Sequence, residues 1–278
     1  MYSVISKAEL ARGVYLLEIE APAVARKAAP GQFVMLMVDE KGERIPVSLA
    51  GWDGEKGTVS VAVSRVGPTT SKLGALKAGD ELAHFAGPLG KPAEIGCFGN
   101  VACVAIGYGM AGIIPIAEAL KEAGNSVYSI VAAPTAADLF CTERLESASQ
   151  RLTIATSDGS CGEQGWVLDP LRRLLGEVDI QRVMVIGSLC MMKLVAELTR
   201  EFGIKTMVSL NPIMVDGTGM CGACRCSVGG KTKFACVDGP EFDGHKVDWN
   251  LLMTRRCTYP ALQGEAASAY RCQYCGQW

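Results

Sequence analysis

From residue 2 to about residue 97 the chain alternates short apolar runs with Gly- and Pro-containing breaks. Residues 14–19, 32–38 and 58–63 are runs rich in Val, Leu, Ile, Met and Phe. The third alternates apolar with polar side chains, the pattern of a strand with one buried face. Pro30-Gly31, Asp53-Gly54, Lys56-Gly57 and Gly79-Asp80 supply turns between such runs. Gly87-Pro88-Leu89-Gly90 reads as a tight turn that closes this unit. Many short strands with regular breaks predict a small β-barrel.

Beyond residue 97 strand and helix patterns alternate, which predicts an α/β domain with a parallel sheet. Residues 101–106 are continuously apolar, as in a strand buried on both faces. Gly107-Tyr108-Gly109-Met110-Ala111-Gly112 follows, then a helical pattern over 113–123 that stops at Gly124. A Gly-x-Gly-x-x-Gly between strand and helix is the context in which that motif binds a dinucleotide. The next strand, 126–131, lacks the usual acidic residue at its end and leads into Ala132-Ala133-Pro134-Thr135. With no Arg or Lys in that loop to receive a 2′-phosphate, the cofactor tilts toward NAD, unless Arg144 or a residue from elsewhere reaches the site. Strand 152–156 runs into the polar, Gly-rich loop 157–165, which carries Asp158 at the edge where open α/β sheets bind ligands. Helix 168–175, strand 182–186, the Gly187-Ser188 turn, helix 191–202 and strand 207–210 complete the pattern. Met191 and Met192 are read as core packing.

The 278 residues give room for two domains and a small appendage, and 49% hydrophobic with 20% charged residues leaves ample core. A net charge of −2 without any basic run gives no sign of a nucleic-acid partner. Charged or turn residues interrupt every apolar stretch short of membrane-spanning length, so no membrane insertion is expected. The first ten residues lack the basic start and apolar run of a signal peptide. Twelve cysteines without an export signal favour a reducing cytoplasm and metal–sulfur chemistry over disulfides.

Four of those cysteines, Cys221, Cys224, Cys226 and Cys236, fall in the stretch 216–236, where Gly217, Gly219, Gly222 and Ala223 let the backbone wrap a compact object. The plant-type iron–sulfur spacing is Cys-x4-Cys-x2-Cys with a distant fourth Cys. Laid over this stretch it puts Asp216 first, then Cys221, Cys224 and Cys236. A zinc site would favour paired Cys-x2-Cys units or histidines, but only Cys221/Cys224 is such a pair here and His245 lies well beyond. Cys226 could replace Asp216 as ligand, yet it stands only two residues after Cys224, poorly placed for a second iron. It is read as a neighbour of the ligands. Near the terminus Cys257, Cys272 and Cys275 are interface thiols or a further zinc or cluster site.

Three barrel segments could hold a phosphate-bearing cofactor. Arg44-Ile45-Pro46-Val47-Ser48 offers a guanidinium and then a hydroxyl near the end of an extended segment. Residues 67–73, from Gly67 through Thr70, follow a strand and open a short helix whose N–H groups can bind an anion. Gly87-Pro88-Leu89-Gly90 is the third.

The order of barrel, Gly-rich βαβ unit and C-terminal cysteine loop resembles the ferredoxin–NADP reductase superfamily over about residues 1–250. More narrowly it resembles electron-transfer subunits with a C-terminal [2Fe–2S] cluster. One branch serves dihydroorotate dehydrogenase. The other is the small subunit of electron-bifurcating NADH-dependent ferredoxin:NADP oxidoreductase, also described as sulfide dehydrogenase-like, which uses an Asp ligand as the loop from Asp216 to Arg225 and the run from Phe234 to His245 suggest. The resemblance implies FAD on the barrel through Arg44, Pro46, Ser48, Gly67 and Thr70. It further implies NAD(H) at Gly107, Gly109 and the Gly187 turn, and a larger flavin/iron–sulfur partner subunit. The expected division is 1–97 for FAD, 98–210 for the nucleotide, 211–250 for the cluster and 251–278 as a tail. Alternatives are service to a dihydroorotate dehydrogenase, a stand-alone NAD(P)H:acceptor reductase, and a flavin-free metal-binding adaptor.

Overall fold

In the computed structural model, which describes residues 2–256, the first ninety residues form seven strands and two short helices. They are β1 (Tyr2–Ala11), β2 (Val14–Glu20), α1 (Pro22–Ala25), β3 (Phe33–Met37), β4 (Ile45–Asp53), β5 (Thr58–Ser64), α2 (Pro68–Ala75), β6 (Glu81–Leu82) and β7 (His84–Leu89). The strands lie in the order β6-β1-β2-β5-β4-β3-β7, every pair antiparallel. Residues 81–89 pair first with β1 and then with β3, so one extended segment nearly closes the sheet into a barrel. Alternation does the packing. Val59, Val61 and Val63 of β5 point inward with Leu17 and Ile19 of β2, Leu36 of β3 and Phe85 of β7.

Two expectations change here. Gly87, Pro88 and Leu89 lie within β7, and the chain turns only at Gly90, whose φ is +75°. The glycine at 87 serves close strand approach instead of a turn, because a Cβ there would sit 2.7 Å from Val34 Cγ1. Ser48 lies in the middle of β4 and not near the end of an extended segment, since the strand continues to Asp53.

The second sheet runs β11-β10-β9-β8-β12-β13-β16. Its parallel strands are β8 (Asn100–Ile106), β9 (Ser126–Ala133), β10 (Arg151–Thr156), β11 (Glu163–Gln164), β12 (Arg182–Ile186) and β13 (Lys205–Ser209). Helices α3 (Gly109–Glu122), α4 (Thr142–Ala148), α5 (Leu168–Glu177) and α6 (Leu189–Glu201) connect them. Residues 101–106 are all buried, which explains their unbroken apolar character. Met191 and Met192 pack in the core as expected. Helix α3 starts at Gly109, four residues before the expected start, so Gly109 and Gly112 lie in its first turn.

The hairpin β14 (Arg225–Val228) and β15 (Lys231–Phe234) follows, then α7 (Ala235–Asp238). The chain then returns to the sheet as β16 (Glu241–Asp243), antiparallel to β13, and ends in α8 (Trp249–Arg256). The last helix spans the boundary expected at residue 250, and Trp249 and Leu252 anchor it in the core. Cys257, Cys272 and Cys275 lie outside the described residues. No helix among the described residues is long and apolar enough to cross a membrane.

Candidate cofactor sites

On the barrel, the side chains of Arg44, just before β4, and Ser48, within it, are exposed. Helix α2 begins at Pro68, whose missing N–H costs nothing at a helix start. The Thr70 hydroxyl accepts the N–H groups of Val66 (3.1 Å) and Gly67 (3.0 Å), which fixes the loop entering the helix. Thr69 Oγ1 donates to Glu43 Oε2 (3.3 Å), so the helix start is held beside the approach to Arg44. Pro46 pairs with Met35 and Ser48 with Phe33 across β4/β3. The structure thus joins the Arg44–Ser48 and Gly67–Thr70 segments into one face with a cation, hydroxyls and a helix N-terminus, a donor set that fits a pyrophosphate.

The α/β sheet changes direction between β8 and β12, the switch point where doubly wound sheets bind nucleotides. Gly107 and Gly187 end these two neighbouring strands. Gly107 has φ +56° and open space around it. Gly109 is crowded: a Cβ there would lie 2.1 Å from the Ile186 carbonyl oxygen. At Gly187 a Cβ would meet Ile106 Cβ at 2.8 Å. Only glycine lets the two loops approach this closely, and the resulting cradle fits a nucleotide.

Asp158 is not part of that cradle. It follows β10, two strands from the switch point, and accepts from the N–H (3.0 Å) and hydroxyl (2.6 Å) of Ser160. Those bonds hold its carboxyl below the usual carboxylate range. Arg144 is likewise committed. It donates to both Glu118 oxygens (3.0 and 2.8 Å) and to the Ala50 carbonyl of β4 (3.0 Å), clamping the α/β unit to the barrel. Arg144→Ala is therefore expected to leave the ratio of kcat/KM for NADH and NADPH within about twofold of the parent, as befits a residue outside the ribose contacts. A large swing in that ratio contradicts the assignment.

The two units also meet where sequence reading gave no warning. The Tyr108 hydroxyl hydrogen-bonds with Ser64 at the end of β5, and Gly112 of α3 faces Ser48, 3.4 Å from a built Cβ to the Ser48 Cβ. The Gly-x-Gly motif thereby touches the Arg44–Ser48 segment and the end of β5, just ahead of the Gly67–Thr70 segment. Only the tyrosine's place between two glycines could have hinted at this.

In the cysteine segment Gly217, Gly219 and Gly222 adopt φ of +79°, +88° and +67°, the left-handed turns the sequence suggested. Cys224 and Cys236 are buried with their sulfurs 3.2 Å apart, close to the ~3.8 Å that two ~2.3 Å bonds from one tetrahedral metal impose. Burial pushes the Cys236 thiol up to about 12, with Cys224 and the charge of Asp216 adding to it. Asp216 accepts the N–H groups of Thr218 and Cys221, both at 2.8 Å. These bonds hold its carboxyl below the usual carboxylate range. The four side chains therefore stand as two pairs, Asp216 with Cys221 and Cys224 with Cys236. Among the described residues no three His, Cys, Asp or Glu side chains converge on one point. Three sulfurs and one carboxylate in two pairs are a donor set that fits a two-metal sulfide centre. Cys226 sits apart in β14, its sulfur donating to the Lys233 carbonyl (3.7 Å), and burial pushes its thiol up to about 11.

This segment docks on the barrel. A Cβ on Gly217 would strike Met35 Cγ of β3 at 2.5 Å and Leu89 Cδ1 of β7 at 3.0 Å. In and beside this segment Met220 is 89% exposed, and Ile213, Val215 and Val237 are also exposed.

Comparison with known proteins adds the family. A profile for the iron–sulfur cluster binding domain of dihydroorotate dehydrogenase B matches residues 211–248. A Thermotoga maritima homologue of the dihydroorotate dehydrogenase B (NAD(+)) electron transfer subunit is 45% identical over 92% of this chain and 90% of its own. A probable electron transfer subunit of that enzyme from Methanocaldococcus jannaschii is 36% identical over 78% of this chain and 80% of its own. Among solved structures, one of an NADH-dependent reduced ferredoxin-NADP oxidoreductase, studied for flavin-based electron bifurcation, superposes with a TM-score of 0.91. It is 42% identical and covers 97% of both chains.

Proposed function

The chain belongs to the family of dihydroorotate dehydrogenase B electron transfer subunits and their homologues, and on that premise we propose how its residues divide the work of an NADH-linked flavin and iron–sulfur oxidoreductase. Segment 1–97 holds FAD, with Arg44, Pro46, Ser48, Gly67 and Thr70 at the phosphates and flavin. Segment 98–210 holds NAD(H) at Gly107, Gly109 and Gly187. Segment 211–250 holds a [2Fe–2S] cluster through Asp216, Cys221, Cys224 and Cys236. When bound, the flavin accepts a hydride's two electrons and the cluster passes electrons on singly. The chain's own residues position these groups. The Thr70-capped loop presents N–H groups to phosphate, the Gly107 loop admits the nucleotide backbone, and Gly217 seats the cysteine segment against Met35 and Leu89.

That last contact carries the reading, because it sets the cysteine segment directly on the strands of the flavin barrel. Anaerobically purified chain is expected to reduce ferricyanide with NADH and more slowly with NADPH. Turnover with neither nucleotide sinks the proposal. The 42% identity across nearly the whole length favours the bifurcating branch. Co-purification with a subunit that oxidises dihydroorotate would favour the other.

The family's members are electron-transfer subunits, so a larger catalytic partner follows, and we place it in the cytoplasm against the exposed apolar side chains of the cysteine segment, Met220 foremost. An aspartate at Met220 should weaken its association by about tenfold or more, the effect of a charge at the centre of an apolar contact. Unchanged affinity by calorimetry or pull-down moves the interface elsewhere.

A further inference from the structure

Strand β16 carries a carboxyl that none of these sites uses. Glu241 pairs through its backbone with Ser209 at the end of β13, and its side chain turns beneath the linker between barrel and sheet. A Cβ built on Gly31 would lie 3.2 Å from Glu241 Oε1 and 2.9 Å from Ala93 Cβ. Barrel, linker and returning cysteine segment therefore meet at this side chain. Backbone hydrogen bonds stitch the same junction: Ala93 N–H to the Pro30 carbonyl (2.8 Å), Lys91 N–H to Gly239 (2.6 Å) and Leu210 N–H to Pro240 (2.9 Å).

Glu241 Oε2 is shut from solvent without a hydrogen-bond partner. The charged groups around it pair with one another as ions, although Arg182 Nη1 likewise lacks a hydrogen-bond partner. Arg182 of β12 pairs with Glu94 of the linker at 2.9 Å and lies over the Phe98 ring. Lys205 of β13 reaches the same Glu94 oxygen at 3.2 Å. From β8 comes only the buried thiol of Cys103, itself pushed up by burial and by Glu241. An ionised Glu241 would thus add a second carboxylate charge beside Glu94, sharing Arg182 and Lys205 that Glu94 already engages, in a place where desolvation is costly. Burial raises this carboxyl to about 7, with Arg182 opposing and Glu94 reinforcing the shift.

We propose that Glu241 is a proton-operated latch: neutral, it lets barrel, linker and cysteine segment close on one another, and ionised, it loosens that closure. The latch is a property of the junction and does not require the cofactor assignments. Its sign follows from linkage. Once the junction opens, the carboxyl titrates in the ordinary glutamate range, whereas the closed form keeps its proton until about neutrality. Opening is therefore favoured by about tenfold for each pH unit between those two values and nearly levels off above neutrality.

Hydrogen exchange of the full chain as purified, corrected for intrinsic rates, reads this directly at the Lys91, Ala93 and Leu210 amides. The opening constant should rise about thirtyfold from pH 5 to pH 7 in the parent and stay flat in Glu241→Gln. A flat parent profile, or an equal slope in the variant, overturns the latch. Glu94→Gln gives an independent arm, because it removes the like charge and frees Arg182. Its rise should level off at lower pH than the parent's, and an unmoved profile also overturns the proposal.

Discussion

Replacing Cys224 or Cys236 with Ala is expected to empty the chain of iron, whereas Cys226→Ala should keep it. The contrast rests on geometry that separates three buried cysteines of nearly the same sequence neighbourhood. Cys224 and Cys236 face each other at 3.2 Å, and as proposed ligands each would supply a thiolate whose loss opens a coordination position. Since binding of a structural metal centre contributes directly to folding free energy, the alanine variants should also melt earlier. Cys226 is occupied by the Lys233 carbonyl, so its removal costs at most the about 10–100-fold in affinity typical of groups behind the ligands. Iron and sulfide analysis of the three variants decides this. Iron lost from Cys226→Ala but retained in Cys224→Ala would invert the ligand assignment. Asp216→Cys should retain the cluster with a shifted potential, since a softer donor replaces a carboxylate that now accepts two N–H groups.

The two glycines of the nucleotide loop should part company just as sharply. Gly109→Ala brings a methyl group to 2.1 Å from the Ile186 carbonyl oxygen, and both partners are backbone in adjacent packed elements, so neither can yield. The expected cost is at least about 4 kcal/mol, the range reached only by severe core clashes, and the variant should be insoluble or melt far below the parent. Gly107→Ala meets no atom within 4 Å. Its left-handed φ of +56° costs about 1–2 kcal/mol for a residue with a Cβ, so the protein should fold. The added methyl then protrudes into the cradle, and the dissociation constant for NADH should rise while FAD content is kept. Parent-like melting of Gly109→Ala would show that the strand ends are not held as close as described.

Much of this architecture is legible in the chain. The unbroken apolar run of β8, buried on both faces, and the glycine pattern behind it announce a parallel sheet with a nucleotide loop. The Gly-rich spacing from Asp216 to Cys224 announces a wrapped centre, and the left-handed glycines bear out its turns. What escapes reading is set by tertiary contact. Strands β6 and β16 have two and three residues, too short for any periodicity, and exist because neighbouring strands offer edges. Gly87 reads as a turn residue, yet it serves strand packing against Val34. Arg144 looks like a free cation in sequence, and only the fold delivers Glu118 and the Ala50 carbonyl to it. The exposed Met220 is invisible to pattern because an apolar residue is expected to be buried.

Electrons are proposed to pass from NADH through a flavin on the barrel to a two-iron centre held against that barrel. The direct measurement is anaerobic addition of NADH to the purified chain, followed by visible absorbance and low-temperature EPR. It predicts bleached flavin together with a new signal approaching one spin per chain, the mark of a reduced [2Fe–2S] cluster. Flavin that bleaches without any such signal, or a preparation carrying zinc at Cys224 and Cys236, would contradict it.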